Sequence, residues 1–139
     1  MLFNKRAQLS LEFSILFLVS LLVITIAVGW PGMFGLKKTA TISSMSLAHA
    51  AVSKMKQNIE LVAAADVGTT KIVYIKCPPG EWYVFNNQLQ FKNSLFNYTI
   101  STNCSVNITL KGNTNISTSR IITVNITKTN VDSVTVNIQ

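Results

Sequence analysis

Charge is scarce in this chain: only 12% of its 139 residues are Asp, Glu, Lys or Arg, and just five are acidic. An ordinary soluble domain carries about 25% charged residues. Acid and base catalysis needs convergent titratable groups. Beyond the apolar N-terminal region only Glu60, Asp66, Glu81 and Asp132 remain as carboxylates, beside one histidine, His49, and no pair of them has an informative spacing. No catalytic residue is assigned, and an enzyme is not expected. Two cysteines and a lone histidine do not make a metal site, and no glycine loop is present that would cradle a phosphate. Neither a metal nor a cofactor is expected.

The formal charge of +7 raises nucleic acid as a partner. Lys5 and Arg6 precede the longest apolar run, however, and the other basic residues are scattered along the chain instead of clustered on one element. A binding face for nucleic acid needs such clustering, so none is expected.

Hydrophobic residues, by contrast, make up 48% of the chain. After Lys5-Arg6-Ala7 and Gln8 to Glu12 comes an uncharged stretch of 24 residues, Phe13 to Leu36, long enough to cross a bilayer of roughly 30 Å. Basic residues at its start orient it with the N-terminus inside and the C-terminus outside. From Leu9 to Gly29 it is apolar nearly all round, a texture that belongs in lipid or in a bundle of similar helices. Gly29-Trp30-Pro31-Gly32 follows. Pro31 lacks an N–H and crowds the preceding turn, which predicts either a kink or the plain end of the span. Glu12 is the anomaly, because a carboxylate in such a run costs roughly 2.5 kcal/mol or more without a partner.

The residues around that carboxylate, Gln8-x-Ser10-x-Glu12-x-x-x-Leu16 after Lys5-Arg6-Ala7, resemble the class III signal peptide of archaeal type IV-like pilins. The glycine-rich sequence usual in archaellins is absent from these positions. The resemblance implies cleavage between Ala7 and Gln8 by a prepilin-type signal peptidase, with the apolar helix retained. It further implies Gln8, Ser10, Glu12 and Leu16 as assembly residues, a pilus assembly platform as partner, and a homo-oligomeric surface filament serving adhesion. Cleavage would leave an amine on Gln8 about 6 Å along the helix from Glu12. In staggered packing, Glu12 of one subunit can face the amine of its neighbour and turn two isolated charges into a pair. Glu12 can also be stabilised by the helix N-terminal dipole.

A second helical pattern runs from about Lys37 to Asp66, with Met45, Ala48, Val52, Met55, Ile59 and Val62 recurring at steps of three and four. Such a stripe packs on the remaining domain, and Gly68 reads as the stop. Beyond it the period changes to two. Strands are predicted at Lys71–Lys76, Glu81–Phe85, Leu89–Lys92, Tyr98–Thr102, Ser105–Leu110, Arg120–Lys128 and Ser133–Ile138. The last three carry apolar side chains at even positions and mostly Asn, Ser or Thr at odd ones, so one face is core and the other is wet. The predicted fold is α+β: residues 1–7 a leader, 8–36 a hydrophobic helix kinked near Pro31, 37–68 an amphipathic helix, and 69–139 an antiparallel β head.

Cys77 and Cys104 fall in the part expected outside the cell, where a bridge persists. Closing a loop of about 28 residues would contribute on the order of 3.5 kcal/mol; the alternative is two buried thiols. Five Asn-x-Ser/Thr sequons, at Asn97, Asn103, Asn107, Asn115 and Asn125, are about a twofold excess over chance for this composition. They mark the head as a candidate glycoprotein. The rival to a filament subunit is a surface protein held by an uncleaved anchor and displaying a β domain to a ligand.

Overall fold

The structure, a computed structural model, describes the backbone of residues 2–139 and the side chains of residues 4–29 and 35–139. The side chain of Pro31, where a kink is expected, lies outside the described residues. Two compact units are resolved, residues 1–40 and residues 41–139.

One helical element, α1, spans Leu2–Ala63. Within the first unit, Asn4–Gly29 is long and apolar enough to cross a membrane, and none of it is buried. Leu9, Phe13, Leu16, Phe17 and Val28 are each more than 60% exposed. Its hydroxyls do not interrupt it, because Ser14 donates to the carbonyl of Ser10 at 2.9 Å and Thr25 to that of Leu21 at 2.7 Å. Bonding back to the preceding turn satisfies these groups without water.

In the second unit, α1 supplies Ala48, Ala51, Val52, Met55, Ile59 and Val62 to a hydrophobic core shared with the strands. Met45, expected on this stripe, keeps 36% exposure and stays outside the core. Helix and strands are tied at both ends of the core: the Ser44 and Tyr98 hydroxyls share a hydrogen bond of 2.9 Å, and the Glu60 carboxylate accepts from the Ser105 N–H at 2.7 Å and from its hydroxyl.

Eight strands follow: β1 Thr70–Cys77, β2 Gly80–Phe85, β3 Gln88–Asn93, β4 Tyr98–Asn103, β5 Asn107–Gly112, β6 Asn115–Ile116, β7 Arg120–Asn130 and β8 Ser133–Ile138. They form two four-stranded sheets, in the orders β1-β7-β8-β5 and β4-β3-β2-β6. The predicted alternation is realised: Ile122, Val124, Ile126, Val134, Val136 and Ile138 are all buried.

The head is not purely antiparallel, since β5 pairs with β8 in parallel, Ile108 opposite Val134 and Leu110 opposite Val136. After β5 the chain crosses to the other sheet, where β6 pairs with Gly80 and Glu81 of β2. It returns as the β7–β8 hairpin, whose second strand then runs in the same direction as β5. Two boundaries, and one whole strand, also differ from expectation. β5 begins at Asn107 because Ser105 is engaged by Glu60. The helix stops at Ala63, three residues before Asp66, because other groups take its last carbonyls. β6 was not anticipated at all; two residues are too few to show a period.

Candidate functional site

Lys5, Arg6, Ala7, Gln8, Ser10, Glu12 and Leu16 lie on the first turns of α1, and all seven are exposed. Lys5, Gln8, Leu9 and Glu12 line one shallow surface hollow, as spacings of three, four and seven require on a single helix face. The sequence motif is therefore a spatial one. Glu12 makes no hydrogen bond or ion pair with another described residue, while the Ser14 and Thr25 hydroxyls farther along bond within the helix. A carboxylate left open where the basic clip meets an apolar, uncovered helix is suited to a charge brought by another molecule.

Cys77 and Cys104 are free buried thiols, so the bridge allowed by the spacing is not made in this structure. Burial pushes the Cys77 thiol up to about 12, with the Trp82 side chain pulling the other way. Burial likewise raises Cys104 to about 11; the Glu60 charge adds to the rise and Lys56 opposes it. Both remain protonated near neutral pH, which makes them packing residues and not nucleophiles.

Among the sequon asparagines, Asn97, Asn103, Asn107 and Asn115 are exposed. Asn97 occupies a turn at φ 51°. Asn107 and Asn125 stand on the polar side of their strands, opposite in parity to buried Ile108 and Ile126. Asn125 is only half open, and its buried Oδ1 finds no hydrogen-bond partner. His49 is exposed on α1. Among the described residues no group of His, Cys, Asp or Glu is arranged to hold a metal ion.

Two residues matter structurally that sequence reasoning passed over. Lys128 is 8% exposed, and its ammonium donates to the carbonyls of Ala63 and Ala65 at 2.7 Å each, closing the C-terminus of α1. The signal was present, because Lys128 continues the even-numbered apolar series Ile122, Val124, Ile126. Glu60, in the sequence only one of four scattered carboxylates beyond the apolar N-terminal region, anchors Ser105. No local pattern announces a partner 45 residues away.

A membrane-length apolar helix, uncovered and headed by a basic clip, joined to a helix-backed β head, defines the tailed class of surface subunit. Residues 5–29 match the class III signal peptide family. Over 127 residues the chain is 64% identical to the probable pilin MJ0832.1 of Methanocaldococcus jannaschii, covering 91% of this chain and 89% of that one. Over 135 residues it is 42% identical to the minor structural pilin EpdB of Methanococcus maripaludis, covering 97% of this chain and 99% of that one. The chain belongs to this archaeal pilin family. No solved structure matches it.

Proposed function

We propose that this pilin is made as a membrane precursor with its N-terminus inside, is cut between Ala7 and Gln8 by a prepilin-type peptidase, and polymerises through its N-terminal helix on a pilus assembly platform. The observation that carries this reading is the bare stretch Asn4–Gly29, long and apolar enough to cross a membrane and without any cover of its own. Lipid covers it in the precursor, and other helices of the same kind cover it in a filament. Within that cover Glu12 requires a positive partner, and the amine freed on Gln8 of a neighbouring subunit supplies one. Leaving either charge unpaired would cost about 3 to 5 kcal/mol.

The fibre serves adhesion, and the head carries N-linked glycans at one or more of Asn97, Asn103, Asn107 and Asn115, whose exposure supports acceptance of a bulky group. No chemistry is assigned to the head. It has no convergent set of titratable groups, and its thiols are held protonated.

Mass spectrometry of the surface form tests both parts. The chain should begin at Gln8 and weigh more than the bare mature polypeptide; a chain that keeps Met1 points to an uncleaved anchor. Glu12→Gln should abolish incorporation into fibres while leaving the protein in the membrane. Normal fibres from that variant would sink the pairing.

A further inference from the structure

The head carries unpaired charges of opposite sign at its two ends. At one end, the turn that follows α1 exposes Asp66 and Val67, and the β7–β8 turn exposes Val131 and Asp132. These turns are neighbours, since Gly68 N–H donates to Lys128 O at 2.8 Å and Lys128 N–H to Thr69 O at 3.0 Å. Val67 is 55% exposed and Val131 73%.

At the other end, β1 and β7 present Lys76 opposite Ile121 and Cys77 opposite Arg120. Lys76 and Arg120 are exposed; Tyr74, 63% exposed, and Ile121, 65% exposed, share the face of Lys76, whereas Arg120 has the other parity at the very end of β7. Tyr74 and Lys76 share a face of β1, and Lys71, nearer the acidic end, has the opposite parity. Among the described residues, Asp66, Asp132, Lys76 and Arg120 make no ion pair or side-chain hydrogen bond.

We propose that these two patches are the halves of one interface, so that the acidic end of one head docks on the basic end of a second copy of this chain. Each half combines two like charges with exposed apolar side chains, the two aspartates with the two valines at one end, and at the other Lys76 beside Ile121 and Tyr74 on one face of the sheet with Arg120 closing the end of β7 on the opposite parity. The complementarity is of both sign and polarity. The two halves sit at opposite ends of β7, an 11-residue strand, and so stand about 33 Å apart. One molecule cannot satisfy both. A head-to-tail contact of this kind propagates into an open helical assembly unless its rotation closes a ring. The inference rests on the filament reading above and adds a second contact, one made by the heads and independent of the helices.

Charge reversal tests it with the full chain in cells that lack the native copy. The variant D66K/D132K has two basic ends, and K76E/R120E has two acidic ends. Each alone should enter fibres about tenfold less than the wild-type chain, by immunogold counting, because like charges meet at every contact. Co-expression should restore incorporation of both, and so should the four-fold variant in which both ends are exchanged. Equal accumulation in the membrane fraction, with neutral D66N/D132N as a milder companion, separates docking from folding. Wild-type incorporation by either half-exchanged variant alone overturns the proposal. Loss that neither co-expression nor the four-fold exchange repairs also overturns it and points to a different chain as the partner. Absence of the wild-type chain itself from fibres would instead remove the filament reading beneath it.

Discussion

Lys128 occupies a position that its strand otherwise fills with hydrocarbon. Its ammonium is held among buried side chains because the last turn of α1 offers carbonyl oxygens that the helix itself leaves unpaired. Replacing it with Met would keep the bulk and remove the donor, leaving the part-buried carbonyls of Ala63 and Ala65 without this partner. The expected loss is about 1 to 3 kcal/mol, read as a lower midpoint in denaturant unfolding. An unchanged midpoint would mean that water serves these carbonyls as well as the lysine does. Glu12 is the opposite case at the same scale. It stands on a surface where no other charge is near enough to pair with it in the described structure, so its significance belongs to the assembled state. The cysteines, for which the sequence left open a bridge or two buried thiols, are free and buried in this structure. Cys77 ends β1 in one sheet, while Cys104 follows β4 in the other, and each is used as a small apolar group.

Among the elements, the parallel pairing of β5 with β8 places an unusual demand on Gly112. This residue has φ 86°, and a Cβ there would stand 2.1 Å from the carbonyl oxygen of Ile138. Gly112→Ala must therefore strain the backbone and push the end of β8 away. A cost of about 1 to 3 kcal/mol is expected, together with faster amide exchange along β5 and β8 than along β2 and β3. Uniform exchange in both sheets would refute this account of the glycine. The amphipathic stripe of α1 was readable because its period is written in neighbouring residues. Most strand boundaries came within one or two residues for the same reason. What the alternation could not reveal was which strand lies beside which, since Val134 and Val136 face the core equally well in a parallel or an antiparallel pair.

At the scale of the whole molecule, the two units have different solvents. The first exposes an apolar helix that water cannot accommodate, whereas the second encloses a core drawn from α1 and both sheets. A chain starting at residue 41 is expected to be soluble without detergent and to unfold in one cooperative step. Size-exclusion chromatography and denaturant titration would check this, and aggregation of that fragment would show that the first unit is needed to complete the fold. The basic and acidic ends of the head become visible only here, because Asp66 and Asp132 are 66 residues apart in sequence and are brought together by the pairing of the loop after α1 with Lys128.

Sequence alone was enough to establish the apolar tail, the signal motif with its single carboxylate, the family likeness, the helix stripe and the positions of seven strands. Each depends on residues within a few positions of one another, where spacing on a helix or strand leaves one geometry. Only the tertiary structure decided the two-sheet order, the parallel strand, the lysine cap, the free thiols and the polarised ends of the head. Those features depend on which distant segments share space, and that choice is made by collective packing of the core.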